Sequence, residues 1–502
     1  MASVSRHFYM LLLLCILFLI GQYLITIKGP RDESLLGPRA GDIQGTYGNR
    51  LRDQLILNDD KFNNSGEELA GKINKKVENI EEAVDYSSLE EMVENRNIPP
   101  FLGNMDSHFR SPYHRYWETN CSAIFKKEDA VMKATNLLIK ESRVDGNVPV
   151  PSDENFFRYT QNCTAFRRIR KYPDKPYSRE EKNYPVAYTI TTHKEVAQVE
   201  RLLRAIYQPQ NIYCIHPDKK SPLAYQQAIR SLASCFDNVF IVSKIESVQY
   251  AGYTRLQADI NCMADLLEKP VRWKYVMNLC GQDFPLKTNL EIIRQLKAYK
   301  GHNDINGIIP PSYIRGRTRI HHTINEKGRL IPTKKKKTPP PYNFTIYFGN
   351  AYYAASRAFV DYVINDQRAI DLLKWSEDTW SPDEHYWVTL QRYPGVPGGY
   401  PNATWDENIR FMKWADIPRH PGCIGKYVRA LCVYGIGYLK YLLTQPYLFA
   451  NKFYYSFDPV TLQCIEEMLD YRQHYPESIH QFVSEFPVTS LLWQNHTAYL
   501  GD

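Results

Sequence analysis

"PVAYTITTH" (185–193) reads as a buried strand, and the residues on either side of it set the fold. Directly after it, Val196, Val199, Leu202, Leu203 and Ile206 recur at spacings of three and four, which makes one apolar helical face. Further along come a strand at "NIYCIH" (211–216), a helix across Leu223 to Leu232, a strand at "VFIVSK" (239–244), a helix from Tyr253 to Leu267 and a strand at "KYVMNLCG" (274–281). Four strands separated by three helices predict an α/β fold with a mostly parallel, Rossmann-type sheet flanked by helices. Ligands of such sheets bind beyond the carboxyl ends of the strands, here at His193, His216-Pro217-Asp218, Lys244 and Gln282-Asp283. No G-x-G-x-x-G opens a helix and no Walker loop occurs, so neither a dinucleotide nor a P-loop nucleotide is indicated.

The 502 residues are enough for one large domain with appendages. A net charge of +7 over that length does not call for nucleic acid, although it suits an anionic small molecule. The 37 tyrosines hint at surfaces that stack on ring-shaped ligands, with ordinary core packing as the alternative. Phe8 to Ile27 form an uncharged apolar run long enough, at ~1.5 Å per residue, for the roughly 30 Å hydrocarbon layer. We read it as an uncleaved signal anchor, because a cleaved signal has a shorter apolar region ending in small residues. Residues 1–7 are then a cytoplasmic tail and the protein a single-pass type II membrane protein. Residues 28–118, polar and charged, read as a stem. The main domain is placed at 119–470, and the tail 471–502 has no assigned role.

Two features put the body in a secretory lumen. Six N-x-[ST] sequons lie past the anchor, at Asn63, Asn120, Asn162, Asn343, Asn402 and Asn495. Nine cysteines beyond Cys15 are scattered without the C-x-x-C or His clustering of a zinc site, as expected of a chain folded under oxidising conditions. The basic segments "IRGRTRIHH" (314–322) and "PTKKKKTPPP" (332–341) read as solvated loops rather than as a nuclear signal or nucleic-acid patch.

Six blocks in order carry a resemblance: "LLRAIYQPQNIYCIHPD" (202–218), "YAGYTRLQADINCM" (250–263), "YVMNLCGQDFPLKTNLEI" (275–292), "SPDEHYWVTLQR" (381–392), "VRALCVYGIG" (428–437) and "LFANKF" (448–453). Between about Cys121 and Cys464 the chain resembles the core 2 and I-branching β-1,6-N-acetylglucosaminyltransferases. "PSYIRG" is more similar to the little-characterised member-seven branch than to the leukocyte-type enzyme. The resemblance implies a GT-A-like sheet, a Golgi location and metal-independent transfer of GlcNAc from UDP-GlcNAc, with inversion, to the 6-hydroxyl of a sugar on an O-glycosylated protein. The alternatives are a catalytically silent glycan- or UDP-binding protein of the same fold, and a UDP-xylose-dependent transferase.

A sugar alcohol needs a base as it attacks, and the family motif S-P-D-E implies Glu384 for that role, partly desolvated by Trp380, Tyr386 and Trp387. On the residues alone, Asp383 and Glu384 equally suit the cap of a helix starting near Pro382, and Asp383 is expected to be that cap. No Asp-x-Asp pair for a divalent metal occurs anywhere. The resemblance instead implies that Arg429 and Lys452 neutralise the departing diphosphate. It also implies nucleotide contacts from Asp218 and Tyr250, support of the donor sugar by Asp283, and acceptor contacts from Trp414 and Arg317. Capping, turn formation or core packing remain the competing roles for Asp218, Asp283 and Trp414. The acceptor side departs from the leukocyte-type pattern: an acidic acceptor contact there falls on Asn306 or Gly307, and Asp416 replaces a tyrosine. Disulfides implied by the resemblance join Cys121 to Cys464, Cys163 to Cys235, Cys214 to Cys262 and Cys423 to Cys432, leaving Cys280 free.

Overall fold

The computed structural model describes residues 114–400, 409–415 and 422–475. The expected anchor, nearly all of the stem, the last part of the tail, Asp416 and the sequons at Asn63, Asn402 and Asn495 lie outside the described residues. No described helix is long and apolar enough to cross a membrane.

The expected alternation is present: β1 (Ala187–Thr192), α1 (Val196–Ile206), β2 (Ile212–Pro217), α2 (Leu223–Ser234), β3 (Val239–Ile241), α3 (Tyr253–Glu268) and β4 (Tyr275–Cys280). The four strands are parallel, in the order β4-β1-β2-β3. Beyond Gly281 the chain turns into β5 (Asp283–Pro285), and a Cβ on Gly281 would meet the Thr192 hydroxyl at 2.7 Å, so only glycine permits this exit beside β1. A fifth strand, β6 (Ala354–Ser356), followed by α4 (Arg357–Asn365), runs antiparallel along β4 and closes that edge.

Alternation along the strands divides the interior into two cores. Tyr188, Ile190, Tyr213, Ile215, Met277 and Leu279 face one core with α1, α2 and the terminal helix α5 (Pro459–His474). Ala187, Ile212, Cys214 and Val276 face the other with α3 and α4. Burial on both faces explains why these strands read as continuous apolar runs. Many of the described tyrosines belong to the core: Tyr188 and Tyr213 stand side by side on β1 and β2 with ring centroids 5.3 Å apart and planes within 4°.

The sequence missed a second sheet of three-residue strands, β7 (Arg410–Met412), β8 (Phe449–Asn451) and β5, in the order β7-β8-β5. It carries the chain from the end of β4 to Lys452. The basic segments are not loops. Ile320–Ile324 and Leu330–Lys336 pair as an antiparallel hairpin, held at its base by Lys337 and His321, which both bind the Asp378 carboxylate.

Disulfides join Cys121 to Cys464, Cys163 to Cys235 and Cys423 to Cys432. The first closes a span of 343 residues and ties the helix Cys121–Phe125 to α5. In the chain-entropy model such closure stabilises by roughly 5 kcal/mol. The fourth pairing is corrected: Cys214 on β2 and Cys262 on α3 are free thiols, with the Cys262 sulfur 3.8 Å from the Cys214 carbonyl oxygen. Burial pushes both thiols above their ordinary pKa. Cys280 is also free.

Candidate active site

Ser381 has a left-handed backbone (φ 44°), and Pro382–Glu384 then make a single 3₁₀ turn before the helix Tyr386–Gln391. Two main-chain bonds latch this turn. Ser381 N–H donates to Ala251 O at 2.7 Å, and Trp380 N–H donates to Arg317 O at 3.0 Å. Ala251 is left-handed as well (φ 55°), so two residues in a costly conformation meet where the turn touches the start of α3. Arg317, on the short helix Gly316–Arg319, donates from Nη1 to Glu384 Oε2 and lies with its guanidinium 5.1 Å from the Phe348 ring centre. Together with Pro310, Ile314 and Trp380 the pair lines a small open pocket.

These contacts correct the capping alternative. The helix begins at Tyr386, and neither Asp383 nor Glu384 caps it. They also correct the desolvating shell. Tyr386 donates its hydroxyl to Ala369 O at 3.1 Å and Trp387 packs on Tyr353, both in the core, so of the three aromatic residues only Trp380 lines the pocket. His385 is buried. Burial, with help from Arg317 and Lys337, pushes its imidazole down to about 3, so the ring is neutral at physiological pH.

Asp383 is buried toward Arg255, which is held by Asp259 at 2.9 Å. Burial raises its carboxyl to about 7, with Arg255 opposing the rise and Glu384 adding to it. Its folded proton affinity therefore exceeds its unfolded one. The stability it contributes is complete below about pH 4 and is lost as pH rises through about 7. We expect Asp383→Asn to remove that loss. The variant's stability relative to the parent should rise between pH 4 and pH 8 by up to about 4 kcal/mol, read as a rise of several degrees in its relative Tm in thermal unfolding at the two pH values. A difference that stays constant with pH would contradict this.

On the other side of Tyr250 sit the cations. Arg429 and Ala430 form a two-residue turn between the strands Lys426–Val428 and Leu431–Val433, with φ of 52° and 60°. Positive φ at both positions is the type I′ pattern, normally given to Asn and Gly, so Arg429 occupies a turn that disfavours its backbone. Its guanidinium lies 5.3 Å from the Tyr250 ring centre. Tyr250 is 61% exposed and within electrostatic reach of Glu384, Asp383 and Arg317, so one ring stands between the carboxylate side and the cationic side. Lys452 follows β8. Its ammonium lies 5.9 Å from the Tyr454 ring centre, and that of Lys194 lies 4.8 Å from the same ring. Burial, with Arg429 and Lys194 adding to it, holds the Lys452 ammonium below its ordinary value. Lys194 and Tyr454 were not anticipated. The signal for Lys194 was its position directly after the carboxyl end of β1.

The remaining predicted residues divide. Asp218 follows β2, where its Oδ1 accepts the N–H of Lys220 (3.0 Å) and of Val248 (3.2 Å), so it shapes the turn at the sheet's carboxyl edge. Trp414 is partly exposed and bridges to Leu431, beside the Arg429 turn. Asp283 is corrected. It is fully buried, ion-paired with Arg410 Nη1 (3.1 Å), and accepts from Cys280 N–H (2.6 Å) and Asn451 Nδ2 (2.8 Å), which joins the two sheets and removes it from any sugar. Asn306 is buried, with Oδ1 accepting Asn350 N–H at 3.2 Å. A Cβ on Gly307 would strike the Phe348 carbonyl oxygen at 2.7 Å, so neither position presents a side chain to an acceptor. The sequons at Asn120, Asn162 and Asn343 are exposed, and Asn120 and Asn162 cap helices through Oδ1.

Residues 186–443 match the family model described as Core-2/I-Branching enzyme. The N-acetyllactosaminide β-1,6-N-acetylglucosaminyl-transferase of Homo sapiens is 50% identical over 329 residues, covering 64% of this chain and 82% of that protein. The β-1,3-galactosyl-O-glycosyl-glycoprotein β-1,6-N-acetylglucosaminyltransferase 3 of Mus musculus is 41% identical, covering 71% and 84%. The probable member 7 of that series in Homo sapiens is 43% identical, covering 74% and 85%. Among solved structures, a 4-diphosphocytidyl-2C-methyl-D-erythritol synthase from Anaerococcus prevotii reaches a TM-score of 0.21 at 11% identity over 38% of this chain and 79% of that one, too low to bear on the fold. With a family match over more than half its length and relatives covered over four-fifths of theirs, the chain belongs to the Core-2/I-branching enzyme family.

Proposed function

We propose that this protein is a metal-independent, inverting β-1,6-N-acetylglucosaminyltransferase of the Golgi membrane, with a GT-A-like catalytic body, that uses UDP-GlcNAc and branches the galactosyl or GalNAc residue of an O-glycan. One observation carries the reading: Tyr250 stands between the Arg317–Glu384 pair and the Arg429, Lys452 and Lys194 cluster, beyond the carboxyl edge of the sheet. Glu384 takes the proton of the acceptor 6-hydroxyl as that oxygen attacks C1 of the donor sugar. The bond from C1 to the diphosphate breaks in the same step, and the electron pair leaves with UDP. Arg317 holds the carboxylate in place, and the three cations oppose the charge that grows on the leaving group. Crowded like charges gain most when an anion arrives among them, which suits a diphosphate with no metal partner.

The test incubates the full chain, in detergent, with UDP-GlcNAc, galactosides and GalNAc peptides, with and without EDTA. The expected product is a β-1,6-linked GlcNAc formed equally fast in chelator. Donor binding without transfer to any acceptor would favour a silent binding protein, and preference for UDP-xylose would change the donor.

A further inference from the structure

Residues 315–337 carry nine Lys and Arg against one acid, Glu326, whereas the whole chain is only +7. The rest of the chain is therefore near neutral, and its positive charge is concentrated in the hairpin 320–336 and its flanks. Arg317 and Lys337 are committed to Glu384 and Asp378. Arg319, Lys327, Arg329, Lys334, Lys335 and Lys336 are exposed and have no ion pair among the described residues. The hairpin is anchored beside the catalytic turn. Leu330 packs with Ala251 and Trp380, His322 lies 5.8 Å from the Trp380 ring, and Gly328 O accepts Gln249 Nε2 at 3.0 Å, next to Tyr250. Trp380 also lines the Glu384 pocket.

A molecule whose reacting hydroxyl reaches Glu384 thus has a cationic ribbon along its flank. Resting on the proposed transfer to a glycan, we propose that this hairpin selects acceptors whose glycan chain carries an anionic sugar group, a sulfate or a carboxylate, within reach of Lys334–Lys336. A glycan suits better than a separate acidic partner because the hairpin is continuous with the pocket wall, so the bound acceptor itself extends over it. Ion pairs at such exposed positions are individually weak and screened by salt, so their joint effect is a preference rather than an absolute requirement.

The experiment compares neutral N-acetyllactosamine-type acceptors with sulfated and sialylated ones whose reacting 6-hydroxyl is free, using the full chain and a Lys334→Glu/Lys335→Glu/Lys336→Glu variant, at low and high ionic strength. The parent should favour at least one anionic acceptor by about tenfold in kcat/KM at low salt, falling towards parity at high salt. The sulfated and sialylated arms identify the preferred group. The variant should lose the preference while its rate on the neutral acceptor stays within about twofold. Equal rates on neutral and anionic acceptors, or an equal loss on both in the variant, would overturn the proposal. So would a preference that follows an acidic peptide bearing a neutral glycan, or binding to phosphatidylserine vesicles in place of glycans. Direct binding of the same glycans to UDP-loaded protein separates the two readings: charge-dependent binding without transfer would remove the transferase activity and leave the hairpin's role standing.

Discussion

Glu384→Gln is expected to lower kcat by ~10²- to 10⁴-fold while leaving the Kd for UDP within about twofold. The amide keeps the size of the carboxylate and still offers an oxygen to Arg317 Nη1, so the latch between the turn and the helix Gly316–Arg319 survives. What it loses is the capacity to take a proton. The neighbours do not substitute for it. His385 is buried and neutral with its Nε2 at 3.2 Å from Ser376 Oγ, and Asp383 is turned inward toward Arg255. Single-turnover transfer of labelled GlcNAc, with calorimetry for UDP, separates the two quantities. A variant that turns over at the parent's rate would remove Glu384 from the base role.

Removal of the cations should act on both binding and rate. Arg429→Ala and Lys452→Ala are each expected to lower kcat/KM by ~10²- to 10³-fold, with a larger share in kcat than in KM. Charge on the diphosphate is greater in the transition state than in the bound donor, so a fixed cation stabilises the former more. Lys452 is the more sensitive position, because it is partly buried and arrives on β8, where Asn451 is paired with Asp283. Arg429 is exposed on its turn, and Arg429→Lys should recover only part of the loss, since a lysine lacks the planar fork. Steady-state kinetics with and without EDTA are the check. Parent activity that falls in chelator and returns with a divalent cation would transfer the neutralising role to a metal.

Much of the α/β layer was legible because its signals are local. The apolar spacing of Val196 to Ile206 and the continuous run at 187–192 each reveal an element within a dozen residues. The second sheet was not legible, because its three-residue strands have no periodicity of their own and exist only through pairings such as Asn451 with Asp283. The basic hairpin was hidden for a related reason: its composition resembles a solvated loop, and what orders it is Asp378, some 40 residues beyond Lys337.

By itself, the sequence determined the order of strands and helices, the family blocks and the residue types capable of the chemistry, since these depend on near neighbours and on identity. Tertiary structure alone decided their use. It withdrew Asp283 into a buried pair with Arg410, left Cys214 and Cys262 unjoined, set Arg317 on Glu384 and brought Lys194 to the cations. The reason is that charge and hydrogen bonding act over a few ångströms of space and are governed by local exposure to water, neither of which separation along the chain specifies.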